Sequence, residues 1–435
     1  LSSIAANWFN KNIKYYQAIP SSYGMVFFYA NYFIIICIFA ILINQRFLMY
    51  PNLYFAFKDL FGIDWRPLRF VNSFGFFVAI AFILAAILLT IELRRKSKQG
   101  LLYPTEMQVM VGQPAMAGEL LLNFLLGFLL GYKIIALFIM DNSATEDPQA
   151  FIFSPIGSWP AGIILGLLFA GLKWYDKNKQ KLSKPEKRTV RIWPQDRVGE
   201  ITILGLIFGL LGAKLFDIFE NWSDFLKRPS DYIFSAEGLT FYGGLICAAI
   251  AIWVYAKKHK IGFWHLNDAA APVLMLAYAV GRIGCQVSGD GDWGIVNVKP
   301  KPFSWLPNWM WGYTYPHNVA KQGEPIPGCT DKFCFELPQP VFPTPFYETI
   351  ICLVLFFVIW SFRKKLKIPG TLFALYLMLN GLERFFIEKI RVNNRLNLFG
   401  FQPTQAEVIS TLLFLSGLAI WVILYRKSKA PKTID

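Results

Sequence analysis

Arg282 stands between glycines in Gly281-Arg282-Ile283-Gly284-Cys285-Gln286-Val287-Ser288-Gly289-Asp290-Gly291-Asp292-Trp293-Gly294, late in an apolar run that opens near His265. An arginine that deep in an apolar helix is costly unless it faces protein, water or a ligand. The glycines around it let a backbone or a ligand approach closely. Arg384, Glu388 and Arg391 follow at spacings of four and seven, which sets them on one helical face. Lys214 lies inside another apolar run, and Tyr242 and Glu348 each open one. Guanidinium forks bind phosphate oxygens bidentately, so arginines gathered at headgroup depth suit a lipid phosphate. Cysteines and histidines at metal-site spacing do not accompany them, and neither a metal nor another cofactor is expected.

The elements that must position these groups are membrane helices. With 55% hydrophobic and 17% aromatic residues against 16% charged, the composition excludes an ordinary soluble domain. Apolar runs of about 17–25 residues mark transmembrane helices. Ten are expected, at roughly 24–44, 71–92, 115–139, 153–173, 200–219, 240–256, 266–286, 345–362, 371–388 and 406–425. The fold class is therefore an all-α polytopic membrane protein. The net charge of +15 does not point to nucleic acid, because the bases collect in alternate loops: 94–98, 173–197, 257–260, 363–367 and 426–429. That is the positive-inside pattern, and it predicts a multi-pass chain with both termini cytoplasmic. Lys214 then lies about 22 Å above the inner loop at 1.5 Å per residue. All the groups named above fall near the outer side, and no comparable cluster is expected at the inner side.

The middle of the chain repeats itself with a period of 81 residues and no gaps. Aligning 118–179 with 199–260 gives 17 identities in 62 positions, among them Gly131 with Gly212, Lys133 with Lys214 and Gly162 with Gly243. Shared apolar character does not account for the polar and glycine matches, so a duplicated two-helix unit is expected. The second copy carries Tyr242-Gly243-Gly244 where the first has Ala161-Gly162-Ile163, which makes the second the one expected to carry chemistry. The chain divides into an N-terminal extension with one helix (1–48), a membrane domain (49–430) and a short cytoplasmic tail (431–435). Within the domain, 115–180 is the extra hairpin repeating 199–260, and 289–344 is an outer loop. Cys329 and Cys334, five residues apart in that loop, suit a disulfide in an oxidising compartment. The 24–44 run lacks a small-residue cleavage site and reads as a retained helix.

Four segments in order resemble the prolipoprotein diacylglyceryl transferase family. The Gly281–Gly294 run resembles its signature Gly-Arg-x-Gly-Asn-Phe-x-Asn-Gly-Glu followed by Gly, and Phe241-Tyr242-Gly243-Gly244-Leu245 resembles its His-Gly-Gly-Leu. Pro343-Thr344-Pro345-Phe346-Tyr347-Glu348 is similar to its Pro-Ser-x-x-Tyr-Glu, and Gly381-Leu382-Glu383-Arg384-Phe385-Phe386-Ile387-Glu388 to its Arg-x-x-x-Glu stretch. Ser73-Phe74-Gly75 is similar to its early Tyr-Gly. The agreement covers roughly 71–98 and 199–430, leaving 1–48 and 115–180 outside a seven-helix core.

The departures are specific. Tyr242 stands for the motif His, Cys285 and Ser288 for two Asn, Asp290 for the Glu, and Lys214 for an Arg; one residue is inserted before Trp293. The resemblance implies transfer of a diacylglyceryl group from phosphatidylglycerol to the lipobox cysteine of prolipoprotein signal peptides, with glycerol 1-phosphate leaving. It implies Arg282, Arg384 and Tyr242 as catalytic residues. Gly243, Gly244, Gly281, Gly284, Ser288, Asp290, Glu348, Glu388, Arg391 and Lys214 are implied as substrate contacts. His317 is a further candidate, as a substitute base if the outer loop folds over the site. The missing His motivates an alternative, a catalytically inactive relative that binds lipid or assembles a membrane complex. A transporter reading is disfavoured, because the repeat keeps one orientation and the charges gather on one side.

Overall fold

A computed structural model describes residues 49–136, 151, 154–234, 240–393, 395, 397 and 401–429. The expected helix at 24–44 and Cys37 lie outside them. A short helix α1 (Leu53–Phe61) leads through a turn at Arg66–Phe70 to α2 (Ser73–Lys98), which Asn72 caps by accepting from Phe74 N (2.8 Å) and Gly75 N (3.3 Å). Strand β1 (Thr105–Val111) then pairs antiparallel with β2 (Glu186–Ile192), Thr105 opposite Ile192 and Val111 opposite Glu186. Between the two strands stands a hairpin of α3 (Ala117–Leu130), continued by a π-turn over Gly131–Ile135, and α4 (Trp159–Lys179). The second hairpin is α5 (Val198–Glu220) and α8 (Phe241–Lys258), with short helices α6 (Trp222–Lys227) and α7 (Pro229–Phe234) between them. The chain continues with α9 (Phe263–Ser288), α10 (Thr344–Phe362), α11 (Thr371–Glu388) and α12 (Gln405–Lys429).

Seven of these segments are long and apolar enough to cross a membrane: α2, α3 with its π-turn, α5 with the turn before it, α8, α9, α10 and α12. Helices α4 and α11 also form where spans are expected, at 21 and 18 residues. The all-helical membrane architecture is as the hydropathy predicts.

Most of these helices expose apolar side chains, whereas α9 is the buried one: Leu266, Ala269, Met275, Ala279, Arg282 and Gln286 are all enclosed. It packs against α2, α10 and α11. Small residues let the backbones close on one another. A Cβ on Gly381 would stand 2.6 Å from the Ser410 carbonyl oxygen, and one on Gly417 2.7 Å from that of Ala374, which sets α11 against α12. In the second hairpin a Cβ on Gly212 would stand 2.5 Å from the Gly243 oxygen, and in the first the matching Gly131 is closed on by Ala161 and Gly162. Both hairpins thus cross at the glycines that the 81-residue period aligns.

One expectation fails at the basic end of the bundle, where Lys98, Lys258, Arg363 and Lys429 lie. Glu92 is fully buried there between Arg95 (2.7 Å) and Arg363 (2.9 Å). Lys96 meets Asp268 at 3.6 Å, and Asp268 also accepts from Gly370 N (2.9 Å) and Phe373 N (3.1 Å). These groups join α2, α9 and the two ends of the α10–α11 connection. The basic run at 94–98 hides them in the sequence, because Lys and Arg near a helix end already satisfy the orientation rule.

Candidate active site

At the opposite end of the bundle, three arginines converge on one carboxylate, from α9, from α11 and from the segment just after α11. Glu348 opens α10 fully buried, with the bond from Thr349 Oγ1 to the Pro345 carbonyl (2.8 Å) tightening the same turn. Its Oε1 accepts from Arg384 Nη1 (3.0 Å) and faces Arg391 Nη1 (3.4 Å), while Oε2 pairs with Arg282 Nε. Arg384 also meets Glu388 one turn along α11 (3.3 Å), as the spacing of four predicts. Glu388 in turn accepts from Asn393 Nδ2 (2.5 Å). Buried charges of this kind persist only when paired and hydrogen-bonded.

The cluster closes through a residue that sequence reasoning missed. Asp292 receives Arg282 Nη1 on one carboxylate oxygen and Arg391 Nη2 on the other (2.6 Å). Burial alone would raise its carboxyl; the two guanidiniums outweigh that and hold it well below the usual carboxylate range. The one-residue insertion before Trp293 made Asp290 the match to the family Glu, whereas Asp292 makes the arginine contacts. Asp290 is pushed the other way, upward, by burial and by the charge of Asp292 beside it. Its Oδ1 accepts from Asp292 N (3.3 Å).

The loop that carries Asp292 is built for the purpose. Helix α9 stops at Gly289 (φ 62°), and Gly291 (φ 101°) turns the chain back; both lie in the left-handed region that favours glycine. Thr344 Oγ1 donates to the Asp292 carbonyl (2.7 Å), and Gly294 pairs with Arg391 in an isolated bridge, so 292–294 is strapped to both α10 and the end of α11. Tyr315 Oη donates to Gln286 (2.8 Å), and Asn318 Nδ2 reaches the carbonyls of Tyr315, Gln322 and Phe335, which fixes the outer loop onto the end of α9. Cys329 and Cys334 form a disulfide.

Other expected site residues fall in different places. Tyr242 begins α8 within electrostatic reach of Arg384, Glu388 and Arg391. Lys214 pairs with Asp217 at 3.7 Å on its own helix. Gly243 and Gly244, expected beside substrate, are taken up by helix packing: a Cβ on the first would collide with Phe216, and one on the second would stand 2.7 Å from the Gly209 oxygen. Gly284 likewise lies against Phe74 and Phe77, while Gly281 has open space beside it. Ser288 is fully buried, its carbonyl accepting from Val319 N (3.0 Å). His317 is held in the outer loop, its Nδ1 on the Phe333 carbonyl (2.8 Å) and 4.0 Å from the Cys329 sulfur. Lys133, the first-copy counterpart of Lys214, donates to the carbonyls of Phe151, Ser154 and Ile156 (2.6–2.9 Å) and so ties off its own hairpin.

Glu383 is the other residue that was overlooked. It is 5% exposed, and neither carboxylate oxygen has a hydrogen-bond partner. Cys285, Asp290 and Asp292 bring three ligand-type atoms within 4.8 Å of one another. Arg282 stands 3.4 Å from the sulfur and both Asp292 oxygens face guanidiniums, so two of these three groups are already engaged by arginines.

Fold and site together define a polytopic membrane protein with an arginine–carboxylate cluster at one end of its helices, suited to an anionic headgroup. The sequence model for the prolipoprotein diacylglyceryl transferase family matches residues 150–423, and the chain belongs to that family. A phosphatidylglycerol–prolipoprotein diacylglyceryl transferase of Dehalococcoides mccartyi is 30% identical over 294 residues, which are 66% of this chain and 96% of that protein. The protein of that name from Mannheimia succiniciproducens is 28% identical over the same shares. The one from Leptospira interrogans is 31% identical over 219 residues, 44% of this chain and 61% of its own. The family match begins inside the hairpin that the motifs had left outside the core, so it aligns α4 with the family. The chain is accordingly a multi-pass bacterial membrane protein.

Proposed function

We propose that the protein transfers a diacylglyceryl group from phosphatidylglycerol to the thiol of the lipobox cysteine of prolipoproteins, with glycerol 1-phosphate as the leaving group. The observation that carries this is the convergence of Arg282, Arg384 and Arg391 on Glu348 in a chain of this family. The thiolate attacks the glyceryl CH₂, the C–O bond to phosphate breaks, and charge grows on the phosphate oxygens. Preorganised guanidiniums in a site shielded from water stabilise that charge before it forms, and holding lipid and thiol together supplies the positional part. Tyr242 would hydrogen-bond the phosphate or orient the thiol, and its place near the start of α8, within the field of Arg384 and Arg391, supports that role. A thiol of pKa about 8.5 is already slightly ionised at neutral pH. The contacts of His317 support a role in shaping the loop.

The site faces the outer side and both termini the cytoplasm; the basic helix ends and the disulfide in the opposite loop support that orientation. The shared glycine crossings support duplication as the origin of the α3–α4 hairpin. Replacement of the motif His by Tyr242 favours a second reading, a lipid-binding relative without catalysis. Transfer of glycerol label from phosphatidylglycerol to a lipobox-cysteine peptide, lost in Arg282→Ala and Arg384→Ala, establishes the enzyme. Lipid bound without transfer by the unmutated protein establishes the alternative.

A further inference from the structure

We propose that Asp292 is a placeholder for the lipid phosphate, holding the place between Arg282 and Arg391 until a phosphodiester displaces it. The proposal rests on the transferase reading and deepens it. Asp292 offers one oxygen to each of two guanidiniums, as the two non-bridging oxygens of a phosphodiester do.

Charge balance requires an exchange. Three arginines are paired with three carboxylates, Asp292, Glu348 and Glu388. A phosphodiester adds one negative charge to this enclosed site, where uncompensated charge is expensive. Asp290 and Glu383, at the same end, pair with no arginine among the described residues; any charge on them adds to the excess. One carboxylate must therefore leave when the lipid enters.

Only Asp292 is placed to do so. The Glu348 and Glu388 side chains are fully buried on helices, whereas the Asp292 side chain is 37% exposed. It follows Gly289 and Gly291, both at positive φ. Its carbonyl stays tied to Thr344 while the side chain rotates outward, so the loop keeps its place and the arginines are freed. Asp292 is a positioning residue in this account: its charge holds the two guanidiniums apart and aimed before substrate arrives, and competes with the anion that replaces it.

The test uses the isosteric, uncharged Asp292→Asn in purified full-length protein, with short-chain phosphatidylglycerol titrated in detergent and inorganic phosphate titrated separately. Loss of a structural contact weakens binding; loss of a competitor tightens it. Asp292→Asn is expected to bind the lipid about fivefold more tightly, the upper end for a partly exposed ion pair. Parallel tightening of inorganic phosphate assigns the place to the phosphate group itself, and tightening of the lipid alone assigns it to the whole headgroup; both support the exchange. Unchanged or weaker lipid binding by Asp292→Asn, while the unmutated protein binds and transfers, overturns the placeholder and leaves the transferase intact. If neither protein binds phosphatidylglycerol, both readings fall. Should the variant not fold, infrared difference spectra of the unmutated protein decide: lipid is expected to convert one arginine-paired carboxylate to a hydrated one, and an unshifted carboxylate band contradicts the proposal.

Discussion

Glu348→Gln changes one charge and almost no volume, yet it removes the carboxylate on which all three site arginines converge. Arg384 and Arg391 lie 3.0 and 3.4 Å from one oxygen, and Arg282 pairs with the other. An amide keeps one acceptor but points an N–H₂ donor at a guanidinium, and three cations are left against two carboxylates. Breaking a buried ion pair from one side costs about 3–5 kcal/mol. A single misplaced donor at an anion-stabilising site lowers turnover by about 10²–10³-fold. Glu348→Gln should therefore unfold at lower temperature in detergent and lose at least about 100-fold in kcat/KM for transfer to a lipobox peptide. Glu348→Asp keeps the charge and should recover part of both. An unchanged melting temperature with transfer within about threefold of the unmutated protein would refute the claim that Glu348 organises the arginines.

Four other outcomes follow from the geometry. Burial raises the Asp290 carboxyl in the folded state, so its ionisation disfavours folding progressively as pH rises from the unfolded value of about 4 through the folded one; melting curves should show Asp290→Asn more stable at neutral pH and equal below pH about 4. For Asp292 the sign is opposite: stability is present above about pH 4 and is lost as pH falls toward its depressed value, which an acid titration of Asp292→Asn against the unmutated protein should show as a smaller acid sensitivity. Gly294→Ala drives a Cβ into the Ile390 carbonyl and Thr344, parting Arg391 from Asp292, and transfer assays should show activity falling with little change in helix content. His317→Ala should leave the pH profile of transfer unchanged while making the loop easier to cleave by protease, since its ring contacts are with Phe333 and Cys329.

What the sequence disclosed follows from where each residue sits. Arg282, Arg384 and Glu388 stood out because charge inside an apolar run is expensive and helical spacing gives its direction; Arg391 was expected on the same helical face, but α11 ends at Glu388 and Arg391 reaches Glu348 and Asp292 from the segment beyond it. Glu348 was visible as the carboxylate that opens such a run. Asp292 was not, because it lies in a loop, where no periodicity shows which way a side chain faces and one inserted residue shifts the match to Asp290. Glu92 and Asp268 sit among lysines and arginines that the orientation rule already explains. Gly243 and Gly244 were visible as close-approach positions, but a glycine does not say what approaches it; here it is Phe216 and Gly209. Glu383 adjoins Arg384, and nothing in the pattern shows that both its carboxylate oxygens are buried without a hydrogen-bond partner.

The central claim is chemical, and the mass of the product tests it most directly. Purified protein would be incubated with phosphatidylglycerol and a lipobox peptide, and the peptide weighed beside the same peptide with Ser in place of its cysteine. The account predicts a diacylglyceryl increment on the cysteine peptide alone, abolished by Arg282→Lys because an ammonium cannot reproduce the guanidinium fork. An unmodified cysteine peptide in the presence of bound phosphatidylglycerol would contradict it.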